Sequence, residues 1–320
     1  MARRYLSGVQ PSGLLHLGNY FGAIRSHIAN QDNAFYFIAD YHALTTIRDA
    51  NVMRQNVFDV AATYLALGLD PERAVLWRQS DVPEVQELAW LLATVTGMGL
   101  LERAHSYKDK VERNISASVG LFYYPVLMAA DILAFDSDVV PVGKDQVQHL
   151  EMTRDMAQSF NARYGEVFRM PKTELGVPEP VPGIDGAKMS KSYDNHIPIF
   201  PTGKKALKKR VMSIKTDSTP MEDPKDPDTC TVFALYALFA DDEQQARMRA
   251  KYAGGNYGYG HAKLELLALI EAHFADARAR YAELRAHPEQ VEAILLAGAA
   301  KARPVARAVL NRARVACGLD

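Results

Sequence analysis

Two short stretches carry residues that could handle a phosphate chain. The first, "PSGLLHLGN" (residues 11–19), lies between an apolar, strand-like run and a segment with helical periodicity. A helix N-terminus presents unpaired N–H groups and a positive dipole end, which suits an anion. Gly13 and Gly18 let backbone approach a ligand closely, and His16 and Asn19 offer hydrogen-bond donors. Taken alone, the same residues describe a tight turn with a surface histidine. The second stretch, "GAKMSKSYDN" (186–195), places Lys188, Ser190, Lys191 and Ser192 in a Gly-containing segment. Two lysines three apart, with hydroxyls between them, could wrap a triphosphate and stabilise charge as pyrophosphate leaves. Composition alone reads it as a solvated linker with ordinary lysines. Neither stretch has the Walker phosphate-loop pattern, and no Rossmann glycine fingerprint opens the first turn, which disfavours P-loop ATPases and dehydrogenases.

A third group has the spacing of a helix face. Tyr124, Met128 and Asp131 stand at i, i+4 and i+7 in "YPVLMAADIL", with Pro125 expected in the first turn of that helix. An Asp on an apolar stripe costs stability unless it is partnered. It serves either a ligand or a nearby backbone amide.

The elements that must position these groups alternate. Strand-like runs "RRYLSGVQ", "AFYFIADYH", "AVLWRQS" and "DVVPVG" are separated by helix-period segments, among them "NYFGAIRSHIANQ", "NVMRQNVFDVAATYLALG", "EVQELAWLLATVTG" and "DQVQHLEMTRDMAQSFNARYG". The alternation predicts an α/β fold, a Rossmann-like parallel sheet with helices on both faces, whose ligands lie beyond the carboxyl ends of the strands. Residues 170–201 are dense in Pro and Gly and predict one long loop or connection. The remainder reads as an all-helical C-terminal domain, with "HAKLELLALIEAHFADARARYAELRAH" as one helix. The expected division is a catalytic domain over 1–195, a helical domain over 196–292 and a final helix over 293–320 that packs back on the catalytic domain.

With 320 residues, 48% of them hydrophobic and 23% charged, the chain has the composition of an ordinary globular protein. A net charge of −1 advertises no general affinity for nucleic acid, so any such contact has to be local. Cys230 and Cys317 are too few for a disulfide framework or a zinc cluster. No signal-length or membrane-length apolar run is present, and a cytoplasmic protein is expected.

The paired signatures "HLGN" and "KMSKS" resemble those of class I aminoacyl-tRNA synthetases. Together with "SGVQPSGLLHLGNYFGAI" and "MAADILAFDSDVVPVGKDQVQHLEMTRDMAQSFNARYG", they resemble the bacterial-type tryptophanyl-tRNA synthetases over essentially the whole chain. The resemblance implies ATP-dependent activation of L-tryptophan and its transfer to tRNA(Trp), with Mg2+ arriving on the ATP and no protein-bound metal. It implies that Gln10, Pro11, Ser12, Gly13, His16, Gly18 and Asn19 hold ATP with Gly143, Asp145, Lys188, Met189, Ser190, Lys191 and Ser192. Gln10, His16, Asn19, Lys188 and Lys191 would serve the chemistry. Tryptophan would meet Leu6, His42, Tyr124, Met128, Asp131, Val142 and Gln146, with Asp131 accepting the indole N–H and Tyr124 and Gln146 holding the ammonium group.

Tyrosyl-tRNA synthetases share the fold but typically carry Gln where this helix has Met128, so tryptophan is favoured over tyrosine. Departures include Leu6, where relatives often have Phe, and His16, where many have Thr. The resemblance also implies a homodimer, with residues 85–123 as interface and lid. Basic runs at 203–210 and 301–314 could follow a tRNA backbone or form the solvated faces of helices. The remaining alternatives are tyrosine activation, another nucleotidyltransferase, and a non-catalytic synthetase-like paralogue that binds RNA or protein.

Overall fold

The computed structural model describes residues 3–104, 118–143, 146–175 and 180–319. Asp145 and much of the expected lid therefore lie outside the described residues. Five parallel strands form one sheet: β1 (Tyr5–Val9), β2 (Ala34–Ile38), β3 (Val75–Arg78), β4 (Val139–Val142) and β5 (Lys172–Leu175), in the order β3-β2-β1-β4-β5. This is the order of doubly wound sheets, and the topology reverses between β1 and β4. Those two strands share the register pair Tyr5–Val139, whereas β1 and β2 pair along their length from Tyr5–Ala34 to Val9–Ile38.

Period-two alternation sends the strand side chains to two apolar clusters. Tyr36, Ile38 and Leu76 enter one, together with Phe200, Leu266 and Phe274 from the second half of the chain. Leu6, Phe35, Phe37 and Trp77 enter the other, with Met156 and Phe160.

The helical segments of the first half are α1 (Leu17–Asn19, a π-helical stretch Tyr20–Ile24, and Arg25–Ala29), α2 (Asp40–Ala43), α3 (Ala50–Ala66), α4 (Glu84–Ala93), α5 (Met98–Glu102), α6 (Val119–Leu133) and α7 (Val147–Tyr164). The second half contributes α8 (Lys204–Met212), α9 (Thr231–Ala237), α10 (Asp242–Gly254), α11 (Tyr259–His273), α12 (Ala275–Ala286) and α13 (Pro288–Cys317).

Three expectations need correction. The Pro/Gly-rich 170–201 segment is not all loop, because Lys172–Leu175 pairs with β4 as an edge strand. Its Lys172, Thr173 and Glu174 are exposed, the composition that discourages further pairing at an edge. The expected single helix over 261–287 breaks at Phe274, whose backbone leaves helical geometry and whose ring is buried. Pro125 lies inside α6 rather than in its first turn, because the helix starts at Val119, where the Ser118 hydroxyl accepts the Leu121 N–H at 3.3 Å.

α13 covers the edge strand β3 and joins both clusters: Val291 and Leu295 enter one, and Ala302, Ala306 and Val309 the other. The basic run 301–314 is engaged within the protein. Arg303 and Arg307 pair with buried Glu84, Arg312 with Asp136 and Arg314 with Glu87. Contact at β3 is close enough that a Cβ on Gly298 would lie 1.8 Å from the Leu76 carbonyl oxygen. Gly298→Ala must therefore push the helix off the strand, and a stability loss of about 3 kcal/mol is expected in denaturant unfolding. No helix among the described residues is long and apolar enough to cross a membrane.

Candidate active site

The 10–19 turn follows β1, His42 follows β2, and Gly143 and Gln146 follow β4, so these candidates lie past the carboxyl ends of their strands. After β1, the turn at 10–13 leads into α1. His16 is the N-cap; its backbone N–H donates to Asn19 Oδ1 at 3.0 Å, and the Asn19 N–H donates to the His16 carbonyl at 2.9 Å. Asn19 thus ties off the start of the helix while its amide nitrogen stays a donor. Gln10 is exposed and Pro11 is buried, with the Pro11 carbonyl accepting Asn56 Nδ2 at 3.1 Å. Asn56, on α3, had no signal in the sequence.

The segment 181–195 folds back on this turn. Gly18 N–H donates to Met189 Sδ at 3.3 Å, and an added Cβ at Gly18 would lie 2.9 Å from the His16 ring. Glycine is thus what lets the histidine and the loop pack together. Lys191 Nζ donates to the Ser12 and Gly13 carbonyls, both at 3.0 Å, and approaches Ser12 Oγ at 3.3 Å. Burial lowers the Lys191 pKa to about 8, with Asp59 acting in the opposite sense. Burial first, then Lys191 and His196, lowers the His16 pKa to about 4, so the ring is neutral at physiological pH. Lys188, Ser192 and Gly143 are exposed and Ser190 is partly so.

Asn195, which sequence reading did not single out, staples this loop. Its buried amide accepts the Ser190 N–H at 2.7 Å and donates to Asp185 Oδ1 at 2.9 Å and to the Lys188 carbonyl at 3.0 Å.

A second cluster surrounds Asp131, which is 2% exposed. His42 Nε2 lies 2.8 Å from Asp131 Oδ2, and Gln79 Nε2 donates to both carboxylate oxygens at 2.8 Å. Burial raises the Asp131 pKa, opposed by the His42 and Gln79 bonds. The partner is thus a pair of side chains, not the backbone amide considered as an alternative. His42 touches the carboxylate directly and also lines the adjoining cavity. The Tyr124 hydroxyl meets His149 Nε2, and its ring stands edge-on to His42 at 6.2 Å. Leu6 and Val142 are buried in one apolar cluster with Met128 packed against it. Gln146 precedes α7, its N–H bonded to the Gly143 carbonyl at 2.9 Å. A cavity of about 460 Å³ opens beside His42 and Tyr124, lined also by Tyr41, Arg48, Tyr123 and Leu127. Among the described residues, no group of three or more His, Cys, Asp and Glu could hold a metal ion.

The site thus combines a doubly wound sheet, a glycine-bearing turn at a helix start and a lysine from a distant loop docked on that turn. The model of the family tRNA synthetases class I (W and Y) matches residues 2–275, and the chain belongs to that family. It is 54% identical over 319 residues to the tryptophan–tRNA ligase of Rhodopirellula baltica, covering 99% of each chain. It is 52% identical to that of Fusobacterium nucleatum, covering 99% of this chain and 98% of the relative. Among solved structures, tryptophanyl-tRNA synthetase from Campylobacter jejuni complexed with ADP and tryptophan superposes with a TM-score of 0.94 at 50% identity, over 99% of this chain and 100% of that one.

Proposed function

We propose that the chain activates L-tryptophan with ATP, giving tryptophanyl-adenylate and pyrophosphate, and then transfers tryptophan to the 3′ end of tRNA(Trp), releasing AMP. One observation carries this reading. A buried carboxylate, Asp131, is oriented by donors in an apolar slot a short way along the same strand ends from a turn that a signature lysine already touches. An indole offers one N–H donor and a large flat apolar surface, so a single oriented acceptor in an apolar setting is the matching chemistry. Met128 adds no polar atom for a phenol to use.

In the first step the tryptophan carboxylate attacks the α-phosphorus of ATP in line, and pyrophosphate departs. No side chain has to be acylated; positioning and charge stabilisation suffice. The turn Gln10–Pro11–Ser12–Gly13 with His16, Gly18 and Asn19 cradles ATP from one side, and Lys188, Met189, Ser190, Lys191 and Ser192 close from the other. Gly143 and Asp145 meet the ribose. Leu6, Met128 and Val142 flank the indole, Asp131 accepts its N–H, and His42 stands at the pocket's edge. Tyr124 and Gln146 hold the ammonium group. Magnesium arrives with the ATP phosphates as part of the substrate.

Residues 1–195 serve as the catalytic unit and 196–292 as the tRNA-binding unit, with α13 closing back on the sheet. The exposed lysines of α8 suit a phosphate backbone. Trp90 (67% exposed), Met98 and Val119 form apolar surface on the expected interface segment, which supports a homodimer. A reaction that draws on ATP and tRNA belongs in the cytoplasm. The test is pyrophosphate exchange with each of the twenty amino acids. Exchange with tryptophan alone is the expected result; exchange with tyrosine instead, or with none, overturns the reading.

A further inference from the structure

Gln79 sits at the carboxyl end of β3, 1% exposed, and its amide can lie only one way round. The Tyr41 N–H donates to Gln79 Oε1 at 3.1 Å, so the opposite side of the amide must be the donor that faces Asp131. A primary amide has two N–H groups, and Nε2 lies 2.8 Å from each carboxylate oxygen. The bonded groups come from three elements: α2 supplies Tyr41 and His42, the end of β3 supplies Gln79, and α6 supplies Asp131. Asp40 and Ser80 lock the same strand ends together, the Asp40 carboxylate accepting the Ser80 N–H at 3.0 Å and the Ser80 hydroxyl at 2.5 Å.

We propose that Gln79 is a specificity-determining positioning residue, which holds the Asp131 carboxylate as a ring N–H acceptor and so sets the preference for a side chain bearing that donor. The inference rests on the reading of Asp131 as the acceptor for the substrate ring. His42 reaches only Oδ2, so without Gln79 nothing described restrains Oδ1. The carboxyl group can then turn, and burial favours its protonated form. A protonated carboxyl can present O–H towards a ring N–H, setting donor against donor. The charged or titratable groups facing the pair are His42 and Asp40 from the α2 side, Asp81 beside Gln79, which is paired with Arg78, and Tyr124 on α6.

The experiment compares tryptophan with 3-(benzothiophen-3-yl)alanine, in which sulfur replaces the ring N–H, by steady-state pyrophosphate exchange. The proteins are the wild type, Gln79→Leu, Gln79→Glu and Asp131→Asn, each with its folded content checked by circular dichroism. Gln79→Leu is expected to raise KM for tryptophan by about tenfold to a hundredfold, the scale of one lost bond to a charged group, with the analogue's KM unchanged. Its kcat is expected to stay within about threefold, as for a loss of ground-state positioning.

Gln79→Glu places two carboxyls together, and they share a proton. The introduced carboxyl, when protonated, can donate to Asp131 while accepting from Tyr41, so the tryptophan preference should be regained in acid and lost as pH rises, unlike the wild type. A wild-type preference in folded Gln79→Leu, with the preference lost in Asp131→Asn, overturns the role of Gln79 and leaves the acceptor reading intact. An unchanged preference in Asp131→Asn overturns the acceptor reading itself. If Gln79→Leu does not fold, a pH-independent wild-type preference in Gln79→Glu overturns the proposal.

Discussion

Lys191→Ala is expected to slow single-turnover formation of tryptophanyl-adenylate by roughly 10²- to 10³-fold, the effect of removing one preorganised charge-stabilising donor. Tryptophan binding, measured by equilibrium titration without ATP, should change little. The ammonium group touches the Ser12 and Gly13 carbonyls, not the Asp131 cluster. An ATP phosphate chain entering there exchanges neutral carbonyl partners for anionic oxygens, so the cation gains most once negative charge builds on the departing pyrophosphate. Retention of the wild-type single-turnover rate would remove Lys191 from the chemistry.

The wild-type pH profile has a matching direction. Because burial lowers the Lys191 pKa to about 8, the free enzyme loses this positive charge as pH rises through that value. The kcat/KM for ATP, which reports on the free enzyme, should therefore fall on the alkaline side of about pH 8. Bound phosphates favour the charged form, so the limb in kcat should lie at higher pH. Absence of that limb in Lys191→Ala assigns it to this lysine.

Asp131→Asn is expected to lower kcat/KM for tryptophan by about 10²-fold or more, because it removes an ionic acceptor and turns an amide N–H towards groups that already donate. Gln79 Nε2 donates to both carboxylate oxygens, so an amide at this position leaves its N–H end facing a donor. The loss should appear mainly in KM for tryptophan, while KM for ATP at saturating tryptophan moves little. Equal losses for both substrates would mean that the substitution disturbs the strand ends as a whole.

Much of this arrangement is visible in the sequence because it is local. The turn at 11–19 is contiguous, the loop at 186–195 is contiguous, and Asp131 stands out because an ionisable residue interrupts an otherwise apolar helix. The residues that complete the site lack such signals. Gln79 meets Asp131 from 52 positions away, in "RQSD", where a glutamine after a strand suggests nothing by itself. Asn195 reads as the tail of a polar loop, although its three bonds hold the lysine-bearing segment in shape. β5 was invisible for a physical reason: an edge strand with one solvated flank needs no apolar run, and "KTEL" has none. A proline suggests a first turn, but at Pro125 the capping serine, Ser118, lies well upstream and the proline falls inside the helix.

The seal that α13 forms over β3 also sets a timetable for synthesis. Arg78, at the end of that strand, forms its ion pair with Glu292, 214 positions later. At about 5–20 residues per second, the ribosome needs roughly 10–40 s to deliver the second partner after the first. Throughout that interval the nascent sheet carries an uncovered rim, open to pairing with a neighbouring chain on the same polysome. Synonymous codons that slow translation between these positions should therefore lower the soluble yield without altering the finished enzyme.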